Sequence, residues 1–486
     1  MTKPIHEHFD DLQRGRITRR DFFRRTAVGA AATPAIVGYL DRQGAAAAPA
    51  HRLLLTPSRS QGAPLASPVA GVDTSQPLVF RGWDYNVATV QDNVRIFNEA
   101  YAENVDYQTV AGDYIAITEN FHISNQPLDL AYCNPATLSR WAVPGWVVDY
   151  SRFGEVEAAS AEMYDGVRES LSVNGVLYGL PYFVSIRGTM MANNIVLAKA
   201  GITAEQYPKT WDELYAQVRQ LKADGATEGS PFLPHWFTGG GAWYGISWAY
   251  LWECLNRGAV LFDDQNVPVF DDATLAVLTN WRKLVEEQVV PESVLTMVQQ
   301  DFIDSFATGS YAYSPQQIYD AKVFNDPNSS QIAGQCAIVP VVSQPWGVID
   351  EGIYVIANRQ QSDEHLARDY RLAGFFGYRD QQGELFVAKR WAMENALNSG
   401  YKEILADPEV IAAYNEWMPD PAMLGTIEGV VNAGQFPKVW QTFWWEEFNA
   451  LMTTELPKAV LGQSPVEEIH ASLKQTALEL AERYAQ

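Results

Sequence analysis

Apolar positions change their period several times between residues 77 and 134. Residues 77–83 (PLVFRGW) form a short β-favouring run and predict a first strand. Residues 85–104 carry Val90, Val94, Phe97 and Tyr101 at helical spacing, so a helix follows. Residues 105–110 predict a second strand and the stretch from about Tyr114 to Pro127 a second helix. Residues 128–134 (LDLAYCN) predict a third strand. Strands alternating with helices predict a parallel sheet wound with helices, and such sheets hold ligands at the carboxyl ends of their strands. Those ends carry Trp83, Asp84 and Tyr85, then Tyr132 and Asn134.

Residues 176–225 repeat the change of period. An apolar, aromatic segment, 177–191, is broken by Pro181 and Gly188 and predicts an extended chain. A short helix with Leu197 and Ala200 stops at Gly201. The next helix has a start signal, with Thr210 as N-cap and Glu213 as its capping-box partner, and Gly225 marks its stop. Trp211, Leu214, Val218 and Leu221 share its apolar face, which assigns Trp211 to the core. Residues 230–258 open as a Pro/Gly loop dense in aromatics, with Trp236, Trp243, Tyr244, Trp248, Tyr250 and Trp252. Further on, helices are expected at 272–289 and 364–378, a helix, Gly turn and strand at 301–313, and a strand at 352–357. Two helices are expected within 435–486, the second starting at Ser464-Pro465-Val466-Glu467.

Residues 1–50 belong outside the fold. Arg16, Arg19, Arg20, Arg24 and Arg25 precede an apolar run, 27–40, too short and too rich in Ala and Gly for a transmembrane helix. Thr18-Arg19-Arg20-Asp21-Phe22-Phe23 resembles the twin-arginine export motif, and Ala48-Pro49-Ala50 offers a cleavage site. Residues 51–76, rich in Pro, Ser, Gly and Ala, read as a flexible linker.

The net charge of −23 argues against nucleic acid and anionic lipid as partners. The three cysteines, Cys133, Cys254 and Cys336, are far apart and show no zinc spacing; one disulfide stays open, with no pair favoured. His122, His235, His365 and His470 form no metal-ligand spacing such as H-E-x-x-H, and no G-x-S-x-G or P-loop motif occurs. No cofactor and no catalytic constellation is expected.

The ordered set of extended crossing, short helix and Pro-Lys-Thr-Trp-Asp-Glu helix resembles bacterial extracellular solute-binding proteins of family 1, the sugar-binding group served by ABC transporters. The hairpin at 255–268 and the segment at 301–313 fit the same order, although Ser310 stands where the family usually has Lys. The resemblance implies an α/β, two-lobe periplasmic-binding-protein fold of type II, with the ligand cleft between lobes. It divides the chain into residues 77–184 with 352–396 as lobe 1 and 185–351 with 397–486 as lobe 2, with crossings near 181–187, 348–356 and 395–400. It implies a binding protein that closes on a mono- or oligosaccharide or polyol and is recognised by a membrane permease; the motif at 18–23 implies export to the periplasm by the twin-arginine translocase, and a monomer is expected.

Sugars need aromatic faces and polar groups for their hydroxyls. The candidate ligand-binding residues are Trp83, Asp84, Tyr85, Asn134, Tyr182, Trp236, Trp243, Trp346, Glu351 and Trp444, with Trp440 and Asp350 as further candidates. Core packing competes at every Trp, most of all at Trp440 and Trp444, because one of two adjacent helical aromatics usually faces inward. Ser185 and Arg187 stand where the family often places an acid, which leaves the ligand's polarity open. The alternatives are a cationic ligand such as a polyamine, held by aromatics with Asp84, Asp350 and Glu351, and an exported glycan-active enzyme.

Overall fold

A computed structural model describes residues 74–485 apart from 188, 243, 340–346 and 360. The export segment, residues 51–73 of the linker, Trp243 and Trp346 lie outside the described residues, as do the side chains of Arg187, Asp350 and Glu351.

The expected strand–helix alternation is present. β1 (Leu78–Gly82), β2 (Val105–Thr109) and β3 (Leu130–Cys133) lie parallel in the order β2-β1-β3, with Leu78 opposite Val105 and Phe80 opposite Leu130. Helix Val87–Tyr101 covers them with Val90, Val94, Phe97 and Tyr101, the residues its spacing indicated. Helix Asp363–Gly377 packs beside it, Phe375 meeting Phe97 at 5.3 Å between ring centroids. Beneath this layer the buried Glu103 carboxylate accepts from Arg368 Nε and Nη2 at 2.9 and 2.8 Å and from Arg371 Nη1 at 3.2 Å.

Two short strands, β4 (Ser172–Val173) and β5 (Val176–Leu177), form a hairpin ahead of the long crossing β6 (Leu180–Arg187). A second sheet holds β7 (Met190–Asn193), fully buried between β8 (Tyr313–Pro315) and β9 (Cys336–Val339) and antiparallel to both. The link between the sheets is β10 (Gly347–Ile356), longer than the expected strand at 352–357. Its last four residues pair antiparallel with β3, and its first two pair parallel with β11 (Gly434–Gln435). Along its other edge runs β6, from Val348 opposite Arg187 to Tyr354 opposite Leu180, with a register shift at Gly352/Ile353. Gly352 is required there, because a Cβ would sit 2.6 Å from Tyr182 Cδ1 and 2.8 Å from Phe183 Cε1. Asn398 touches this ribbon too, its carbonyl accepting from Val184 N at 2.7 Å.

Helix Trp211–Ala223 buries Trp211, Leu214, Tyr215, Val218 and Leu221. Thr210 Oγ1 accepts from Glu213 N at 3.1 Å, as expected of an N-cap, but Glu213 Oε2 accepts from Lys209 N at 2.7 Å, one residue beyond the reciprocal bond of a capping box. Helices Ile246–Asn256, Asp272–Glu286, Trp445–Val460 and Val466–Ala485 pack together as a bundle beside the second sheet. The aromatic segment expected to open the C-terminal helix pair does so only from Trp445. Pro437 precedes a single 3-10 turn, Lys438–Gln441, which Thr442 closes through its N–H and hydroxyl on Val439 O. All three cysteines are buried free thiols, so the open disulfide does not form. No helix among the described residues is long and apolar enough to cross a membrane.

Candidate functional site

The carboxyl end of β1 delivers Trp83 to an aromatic stack. Its ring lies 4.5 Å from that of Tyr132 on β3, with planes 29° apart. Tyr132 in turn lies 4.8 Å from Tyr182 on β6, with planes 12° apart. The approach depends on Gly82, where a Cβ would fall 2.5 Å from Tyr107 Oη and 2.8 Å from Tyr132 Cε2. Trp391, on helix Phe386–Asn395, meets Tyr182 edge-on at 5.2 Å and stacks on Tyr85 at 6.2 Å. Tyr132 and Tyr182 are buried, while Trp83 is half-buried and Asp84 and Tyr85 are exposed. The stack therefore has a packed base and an accessible upper surface.

The segment after β8 faces this stack. Ser185 Oγ, on the crossing, donates to Gln317 Oε1, and Phe183 meets Tyr319 at 6.1 Å. Asp320 is buried, and its Oδ2 accepts from Gln317 N at 3.1 Å. Although Tyr85 is 37% exposed over the whole residue, partial desolvation first and the Asp320 carboxylate second push its phenol up to about 12. Lys322 Nζ donates to the carbonyls of Met393 and Glu394 at 3.1 and 2.7 Å, tying helix Asp320–Asn325 to the end of the Trp391 helix. Burial pushes the Tyr132 and Tyr182 phenols well above the usual tyrosine range. The rings therefore stay neutral, and the site offers aromatic faces, hydroxyls and the carboxylates of Asp84 and Asp320.

On the far flank Arg140 Nη2 pairs with Glu119 and its Nη1 lies 3.5 Å from Glu446 of the C-terminal helix pair. Burial is the first cause of the raised Glu446 pKa, ahead of the opposing pull of Arg140.

Residues 79–370 match the bacterial extracellular solute-binding protein family. The chain belongs to this family. The described fold also resembles solved binding proteins. One is a maltose-bound MalE3 of T. maritima, 18% identical, covering 83% of this chain and 99% of its own at a TM-score of 0.69. Another, from Agrobacterium radiobacter in complex with ribitol, is 15% identical, with 85% and 100% coverage and a TM-score of 0.68. The Mycobacterium tuberculosis UgpB in complex with glycerophosphocholine gives the same four values. No curated protein matches the sequence. The two-lobe solute-binding fold, with its sheets joined by β6 and β10, is thus the architecture of this chain.

Within this solute-binding protein the candidates separate. Trp83, Asp84 and Tyr85 reach the accessible surface, and Tyr182 lies in the packed base beneath Trp83. Trp236 does not join them. It is 2% exposed and stacks 4.6 Å from Trp281, inside the helical bundle, because the Pro/Gly loop turns it inward. Trp444 is also buried, against Phe262 and Phe448, and Trp440 against Trp248 at 4.3 Å. Asn134 is 7% exposed and its Oδ1 caps helix Pro135–Ala142 by accepting from Thr137 N at 3.0 Å. The Glu351 backbone pairs with Val184 in the crossing.

Trp391, Gln317, Tyr319 and Asp320 were not among the candidates. The sequence held a signal only for the last three, which follow a short strand, the position that places side chains at a strand's end. Trp391 sits mid-helix, where a lone aromatic reads as core.

Proposed function

We propose that this chain is the exported substrate-binding component of an ABC importer and that its ligand is a carbohydrate, either a mono- or oligosaccharide or a polyol. The observation that carries the reading is the half-buried Trp83, stacked on Tyr132 with its outer side open at the ends of β1 and β3. A neutral, fixed ring is a platform for a sugar face. Asp84, and the buried Asp320 near Tyr85, are acceptors for hydroxyls, where charge-assisted hydrogen bonds contribute about 1.5–3 kcal/mol each. The names of the maltose- and ribitol-bound structures agree with this chemistry.

The mechanism is closure. Residues 77–184 with 352–396 form one lobe and 185–351 with 397–486 the other. A ligand touching both binds the closed form better and shifts the population towards it. The permease recognises that form. Export through the twin-arginine translocase to the periplasm, as a monomer, completes the reading; residues 18–23 and 48–50 support it. No catalytic step is assigned.

A cationic ligand is the second reading, because Tyr85 and Trp391 stack close to Asp320. Isothermal titration with maltose, glucose, ribitol, mannitol, spermidine and choline separates the two. Heat from a sugar or polyol alone supports the carbohydrate reading. Heat from the amines alone overturns it.

A further inference from the structure

At the amino end of β3, opposite the aromatic stack, Asp129, His365 and Asp369 converge. Each offers one ligand atom within 4.8 Å of the other two. Asp129 is 1% exposed and Asp369 fully buried, while His365 is half-buried and opens the group to solvent. We propose that these three side chains form a site for one divalent transition-metal ion of the zinc class.

Spacing supports this. His365 Nε2 lies 3.0 Å from Asp129 Oδ1 and 3.6 Å from Asp369 Oδ1. Ligands bonded at about 2.0–2.1 Å around a tetrahedral zinc are separated by roughly 3.3 Å, between these two values. His365 and Asp369 are one helical turn apart on helix Asp363–Gly377, so they share a face.

The orientation of the carboxylates supports it independently. Asp129 Oδ2 accepts from Val79 N, and Asp369 Oδ2 from Gln361 Nε2, both at 2.6 Å. Each carboxylate is thus held by one oxygen and turns the other towards His365. Asp369 Oδ1 is buried without a hydrogen-bond partner. A buried carboxylate oxygen left this way calls for a proton or a cation. Held outer oxygens of this kind also fix ligand orientation at metal centres.

One cation is already present. Arg359 Nη1 donates to Asp129 Oδ1 at 3.0 Å and to Leu128 O at 3.2 Å. It is not bonded to Asp369 Oδ1, and the other contact of Asp129 Oδ1 is its hydrogen bond with His365 Nε2 at 3.0 Å, which a metal ion bound between the two would replace. Arg368 acts on Asp369 electrostatically, but its guanidinium is bonded to Glu103. One imidazole with two carboxylates suits zinc, cobalt or manganese and lacks the six to eight oxygens that calcium takes.

The test uses the purified, tag-free chain after chelator treatment. Zinc titration by calorimetry and the visible absorption of added cobalt are read for the wild type, His365→Ala and Asp369→Asn. One equivalent at micromolar affinity or tighter, weakened at least tenfold in both variants, is the expected result. His365 is half-buried and removable without opening the core, so His365→Ala carries the test if Asp369→Asn does not fold. Failure of zinc to bind the wild type stoichiometrically, or unchanged binding in His365→Ala, overturns the proposal.

Discussion

Trp83 and Tyr132 lie face to face, one ring half-buried and the other 1% exposed. The inner ring is therefore scaffold and the outer ring is the surface a ligand can use. Trp83→Ala should weaken the ligand found by calorimetry by about three- to tenfold, since an aromatic pair contributes about 0.5–1.5 kcal/mol beyond the area it buries. Stability of the free protein should fall by only about 2 kcal/mol, less than for a fully buried Trp. Titration and urea unfolding of the same preparation separate the two effects.

Tyr132 has a phenol oxygen that is buried with no hydrogen-bond partner. Leaving such a group unpaired costs about 1–3 kcal/mol. Tyr132→Phe keeps the ring stack and removes the cost, so the urea midpoint should stay level or rise, with ligand affinity within twofold of the wild type.

Trp236 should behave in the opposite way to Trp83. Its ring is buried against Trp281, and truncation opens a cavity in the helical bundle. Trp236→Ala should cost about 3–5 kcal/mol in urea unfolding. In whatever fraction remains folded, ligand affinity should be unchanged.

His122 sets an acid limb. Burial pushes its pKa from 6.5 down to about 4, beneath Trp146 at 5.6 Å and the edge of Trp141 at 5.0 Å. Between those values the unfolded chain binds the proton that the folded chain excludes, so stability falls as pH falls from 6.5 to 4. The loss attributable to this group is at most about 3.4 kcal/mol, and it fades out within about a pH unit above 6.5. His122→Gln should flatten this limb of a stability-versus-pH curve measured by urea unfolding.

Much of the first sheet was legible because each strand and helix there carries its own period, and the place of Trp83 at a strand's carboxyl end was legible for the same reason. Trp211 was legible as core from its helix face, but the burial of Trp236 and Trp444 was not. Trp236 and Trp444 sit near Gly, Pro or other aromatics, which marks a turn or an aromatic patch but does not say which way the ring points. Trp281 and Phe262, the distant partners that help bury them, come from elements that sequence periodicity cannot place beside them. Asn134 was misjudged for a different reason. Asn followed by Pro135 is an N-cap signal, and the structure uses it as one. The third crossing near 395–400 was expected from the resemblance, and Asn398 does reach Val184.

β10 is bonded to β11 at residues 347–348 and to β3 at 353–356, while β6 follows it from 348 to 354. Among the described residues, 349–352 therefore have a strand partner on one edge only. A two-stranded ribbon tolerates more twist than a wider sheet, so these four residues form a torsion bar between stiffer ends. Rotation of one lobe against the other would be absorbed there as small dihedral changes, with the hydrogen bonds to β6 kept. Amide hydrogen exchange along β10 would then show a dip in protection at 349–352, and bound ligand would deepen or fill it according to how far the bar is wound.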